Sequence, residues 1–181
     1  MSDILVVNAA DFSKIESLKS GKLVSKPEVF QIKDFNLDDF KKTVTQNNFS
    51  RAVFAYFSPH KDIHFLRALK SLGLNTEIVL FCPDLSSLAE YDHLNLQITD
   101  DYFYAATLNK NLATSAFDSS GAVIVENETD LSLVKKYCPE VNAVLVKDAE
   151  AKSVKFEPKK PYTVSVIMLT FNQFDDTKKC V

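Results

Sequence analysis

Glycine is scarce in this chain. Gly21, Gly73 and Gly121 are the only three in 181 residues. A loop that cradles phosphate on its backbone needs several closely spaced glycines, so none is available anywhere in the sequence. Tryptophan is absent, whereas phenylalanine occurs fourteen times. There is no run of ~18 apolar residues, which excludes a transmembrane helix. Residues 1–7 carry no basic stretch and their apolar run is too short for a signal peptide, so the expected compartment is the cytoplasm. The net charge of -3 provides no basic footprint for nucleic acid or for an anionic membrane. The three cysteines, Cys82, Cys138 and Cys180, are odd in number and widely spaced. They form no disulfide framework and no zinc pattern, and are expected as buried reduced thiols.

The residues that are present read as alternating strands and helices. Residues 3–8 form a short apolar strand. Phe12, Ile15 and Leu18 then recur at helical spacing, with Asp11 or Ser13 as cap and Gly21 as stop. Residues 29–32 make a second strand after Pro27. Asn36 is placed to cap a helix with Leu37, Phe40 and Val44 on one face. A strand over residues 52–57, a Ser58-Pro59 turn, a helix over 61–72 and a strand over 77–82 form a βαβ unit, which winds right-handed. Pro83-Asp84 caps a short helix over 85–90, residues 94–98 alternate as a further strand, and Asp100 caps a helix through Tyr104, Leu108 and Leu112. A second βαβ unit comes next: a strand over 122–126, a helix opened by Thr129-Asp130, and a return strand over 141–146. The expected fold is a three-layer, Rossmann-like α/β sandwich with a mostly parallel sheet. Residues 1–148 make that domain. Residues 149–161 are charged and poor in large apolar side chains, which suits a linker.

Few residues of this first domain offer chemistry. Asn8, Ser58 and Asp84 stand at strand carboxyl ends, where α/β folds bind ligands, and can line a pocket at the switch point. The same residue types are ordinary turn formers, which is the preferred reading. His60 and His64 have the i, i+4 spacing of a metal chelate, with Asp62 between them. Two ligands do not complete a site, so they are read as solvated helix-start residues and no metal is expected. Asp100-Asp101 reads as a helix-start pair rather than an acid/base pair. Ser119-Ser120-Gly121 builds no nucleophile elbow. Tyr102, Phe103 and Tyr104 are consecutive and cannot all face the core of one helix. They mark a candidate contact surface for another domain or for a second copy in a homo-oligomer.

The last stretch carries the strongest signal. An apolar run at 164–169 breaks at a polar corner, Thr170-Phe171-Asn172-Gln173, and resumes as a helix start containing Asp175 and Asp176. Lys159-Lys160-Pro161, Val164-Ser165-Val166-Ile167, Thr170-Phe171-Asn172 and Thr177-Lys178-Lys179-Cys180-Val181 succeed one another at fixed spacing. In these pieces residues 162–181 resemble the opening strand, corner and helix of a family 2 glycosyltransferase domain of the GT-A fold. The resemblance implies that Thr170, Phe171 and Asn172 line the base and ribose pocket of a nucleotide-sugar donor. It implies a parent enzyme that passes a sugar to a glycan, lipid or protein acceptor by inverting displacement, with Mg²⁺ or Mn²⁺ on the donor diphosphate. The metal-binding Asp-x-Asp, the catalytic base and the acceptor cleft of that family lie beyond the matched elements. No catalytic residue is therefore assigned, no cofactor is expected on this chain, and the 181 residues by themselves are expected to be inactive. The sequence is expected to end where a second domain begins. Residues 164–169, apolar on both faces, are expected to join the edge of the first domain's sheet or to pair with another chain. The rival reading is a self-contained Rossmann-like binding or interaction module without transferase activity.

Overall fold

The computed structural model describes residues 3–8, 27–33, 36–86, 88 and 100–148, with the backbone alone at 59–61, 100–107 and 109. The strands are β1 (Asp3–Asn8), β2 (Glu28–Ile32), β3 (Arg51–Ala55), β4 (Glu77–Cys82), β5 (Ala122–Val125) and β6 (Ala143–Leu145). The helices are α1 (Leu37–Asn47), α2 (Pro59–Ser71), α3 (Asp100–Ser119) and α4 (Glu128–Tyr137). The strands form one six-stranded sheet in the order β2-β1-β3-β4-β5-β6, and every pairing is parallel. This is the three-layer Rossmann-like α/β architecture. A parallel sheet needs cover on both faces, so its strands read as continuous apolar runs, and the sequence supplies them.

Side-chain alternation sorts those runs into two cores. Ile4 and Val6 of β1, Ala52 and Phe54 of β3, Ile78, Leu80 and Cys82 of β4, and Val123 and Val125 of β5 face one way. They meet Phe40 and Val44 of α1, Phe65, Leu66 and Leu69 of α2, Ala116 and Phe117 of α3, and Leu133 and Val134 of α4. All four described helices thus bury their apolar stripes on the same face. Leu5, Val7, Val53, Ala55, Val79, Phe81 and Ile124 point to the other face, which is also closed to solvent.

The phenylalanines concentrate where β2, β3, α1 and α2 meet. Phe40 is fully buried and lies edge-on to Phe30 at 5.2 Å, Phe65 at 5.4 Å and Phe54 at 6.5 Å between centroids. Edge-to-face rings add roughly 0.5–1.5 kcal/mol per pair beyond their buried area. A core filled by such rings needs no polar partner, whereas an indole N–H would.

Helix ends obey the local sequence. Pro59 opens α2, where its missing N–H is not needed. Gly73, at φ +62, ends it in the left-handed conformation. Asn127 caps α4 by accepting from the Asp130 N–H at 2.8 Å, while its own Nδ2 donates to Asp130 Oδ2 at 2.9 Å. Asn36 holds the N-cap position of α1 as expected, but its side chain makes no capping bond to the helix. It closes the preceding turn instead, donating to the Gln31 carbonyl and accepting from the Lys33 N–H, both at 3.2 Å.

The largest departure from expectation is at the end of β3. The apolar run predicts a strand through Phe57, but β3 stops at Ala55. Glu77 N–H donates to the Ser50 carbonyl at the start of the β3–β4 ladder. Continued in register, that ladder would give Phe81 O to the Tyr56 N–H. Phe57 N–H takes it instead, at 2.8 Å. Tyr56 is therefore one inserted residue, a bulge, and it has φ +54. The insertion reverses the alternation at Tyr56 and Phe57. Tyr56 packs its ring against Phe81 on one face, and Phe57 packs against Phe54 on the helix face.

Other boundaries also differ. Helix α2 starts at Pro59 rather than 61, because proline suits the first helical turn. Helix α3 continues to Ser119, well past Leu112, since Ala113, Ala116 and Phe117 extend its buried stripe. Strand β6 is shorter than the expected 141–146. The expected helix over 12–18, the strand over 94–98, the linker at 149–161 and everything at 162–181 lie outside the described residues. That includes the expected pairing of 164–169.

Candidate functional site at the carboxyl edge of the sheet

The chain passes from β1 to β2 on one side and then adds β3 to β6 on the other. The order therefore reverses between β1 and β3, and the carboxyl ends of these two strands flank the switch point where such sheets hold ligands. Asn8 ends β1 and Ser58 comes just after the bulge that ends β3, so two of the three expected pocket residues stand on neighbouring strands. Asp84 lies just past β4, one strand further along.

Each of the three has a structural duty or position. Ser58 is the N-cap of α2, in extended conformation, and its N–H donates to Asp62 Oδ2 at 2.7 Å. Asp84 Oδ1 accepts from the Ser86 N–H at 2.8 Å. Hydrogen bonds from the Ser86 side chain and backbone hold the Asp84 carboxyl below the usual aspartate range. That is the turn role expected of Pro83-Asp84. Asn8 is half-buried and already engaged in a polar or packing interaction.

Beneath this edge, on the helix face, lies a group that composition and spacing did not single out. Cys82, the last residue of β4, is completely buried. Asp62 and Asp130, in the first turns of α2 and α4, are 2% and 6% exposed. Burial raises the Cys82 thiol pKa far above its ordinary value, and the nearby Asp130 and Asp62 carboxylates raise it further. A buried thiol held in its neutral form is a poor nucleophile. Cys82 and Cys138 are buried and neither forms a disulfide, as expected. Asp62 corrects the sequence reading most clearly: it is a buried helix-capping carboxylate, not a solvated residue. Its neighbour His64 is exposed, and the His60 side chain lies outside the described residues. Among the described residues no cluster of His, Cys, Asp or Glu is suited to a metal ion.

The arrangement has an electrostatic consequence. Helix N-termini attract anions because their free N–H groups carry partial positive charge. Here Asp62 takes the Ser58 N–H at the start of α2, and the Asn127–Asp130 pair closes the start of α4. Helix α1 carries Asp38 and Asp39 in its first turn. The positive ends of α1, α2 and α4 are met by the protein's own carboxylates, which disfavours phosphate at these corners.

The signals for this cluster were local. Asn127 with Asp130 three residues later is a capping-box pattern. Asp62 lies four residues after Ser58 on the same pattern, one position late. Tyr102, Phe103 and Tyr104 lie in the first half of α3, but their side chains are outside the described residues. Leu108, one turn on, is 58% exposed. Thr170, Phe171 and Asn172 also lie outside the described residues. Among the described residues no helix is long and apolar enough to cross a membrane.

The fold and site together define a Rossmann-like α/β domain with a self-capped carboxyl edge. Compared with known protein families, with curated proteins and with solved structures, the chain matches none.

Proposed function

We propose that this chain comprises the N-terminal, non-catalytic α/β domain of a family 2 glycosyltransferase, joined by a charged linker to the opening strand, corner and helix of the catalytic domain. The observation that carries this reading is the ordered set Val164-Ser165-Val166-Ile167, Thr170-Phe171-Asn172 and Thr177-Lys178-Lys179-Cys180-Val181. The self-capped carboxyl edge of the first domain supports an accessory role, since a nucleotide-sugar's diphosphate would meet carboxylates there. On this reading the parent transfers a sugar from a nucleotide-sugar to a glycan, lipid or protein acceptor. Thr170, Phe171 and Asn172 contact the donor's base and ribose, and the first domain positions an acceptor, a partner or a second copy. The Mg²⁺ or Mn²⁺ of such an enzyme has no fitting residues here: the sequence contains no Asp-x-Asp. No catalytic step is assigned to this chain.

Two measurements test the proposal. Reading the encoding frame past Val181 is expected to reveal an Asp-x-Asp, and the longer chain is expected to hydrolyse a UDP- or GDP-sugar in a metal-dependent way. The 181-residue chain is expected not to. A frame without that motif, or donor turnover by the 181 residues alone, would overturn it. Chemical-shift changes on adding nucleotide-sugars that fall within residues 1–148 would instead favour an independent binding module.

A further inference from the structure

We draw no further inference here: the strongest candidate, the buried Asp62–Cys82–Asp130 cluster on the helix face beneath the carboxyl ends of β3, β4 and β5, consists of two helix-start carboxylates and one shielded thiol, and nothing in the structure shows a ligand for it.

Discussion

The Asp62 carboxylate accepts the Ser58 backbone N–H at 2.7 Å, and so closes the start of α2 with a buried negative charge. Hydrogen bonds to charged groups contribute about 1.5–3 kcal/mol. Asp62→Ala is therefore expected to lower stability by about that amount. Asp62→Asn, which keeps an acceptor at the same place, is expected to cost less. Urea denaturation of the two variants checks this. A loss below ~0.5 kcal/mol for the alanine variant, within the range of ordinary surface changes, would show that desolvating the carboxylate cancels its hydrogen bond.

The same geometry bears on anions. Inorganic phosphate and nucleoside diphosphates are expected to leave the backbone amides of Ser58, Asp62, Asn127 and Asp130 unmoved in a two-dimensional NMR titration. Saturable shifts at those amides would contradict the view that the helix starts are already occupied.

Tyr56 gives a test that depends on backbone conformation alone. At φ +54, a residue with a Cβ is disfavoured by roughly 1–2 kcal/mol relative to glycine. Tyr56→Gly is accordingly expected to be more stable than Tyr56→Ala by about 1 kcal/mol. Both are expected to be less stable than the native protein, because each loses the ring contact with Phe81 at 5.3 Å. At ordinary positions glycine is the worse of the two residues, so alanine proving better would disprove the bulge.

At the amino edge, Arg51 Nε and Nη2 engage both Asp3 carboxylate oxygens, at 3.3 and 2.5 Å, with both side chains largely buried. Asp3, Arg51 and Glu77 lie in register across β1, β3 and β4. Breaking a buried pair from one side costs about 3–5 kcal/mol, whereas replacing both partners with apolar residues is often neutral. Arg51→Met is expected to be strongly destabilising, and Asp3→Leu with Arg51→Met close to native. Thermal or urea denaturation of the single and double variants checks this, and a double variant as unstable as the single one would refute it.

Glu77 reports the same cluster by titration. Burial raises its pKa, Arg51 pulls it down and Asp3 pushes it up. A raised acid favours its neutral form in the fold. Its contribution is present below the unfolded-state pKa and is lost as pH rises through the folded value. Removing Arg51 is expected to raise the Glu77 midpoint, read from its carboxyl carbon by NMR. A lower midpoint would place the guanidinium elsewhere.

Much of the fold was legible because burial on both faces leaves a direct mark. The runs at 4–7, 78–82 and 122–125 are uninterrupted apolar stretches, and Gly73 ends α2 where the sequence placed its stop. The bulge was not legible. Ala-Val-Phe-Ala-Tyr-Phe is equally apolar at every position, so alternation offers nothing against which an inserted residue would show. The role of Asp62 was hidden for another reason. A carboxylate near a helix start usually sits in water, and only the depth of the β3–α2 corner buries this one. The Asn36 side chain departs from its capping role because the turn before α1 offers it a carbonyl and an N–H. Residues 170–172 were singled out by resemblance rather than by any local physical property.

The extra residue at Tyr56 also sets the chain length of its corner. Deleting the inserted residue would restore an even ladder and leave Phe57 on the helix face, but it would remove the ring that Tyr56 lays against Phe81 on the other face. Relatives of this protein should therefore either keep the spacing from β3 to the proline of α2 unchanged, or lose the bulge together with the aromatic that covers Phe81. That coupled pattern of length and residue type is a signature by which distant kin could be recognised even where overall sequence similarity has faded.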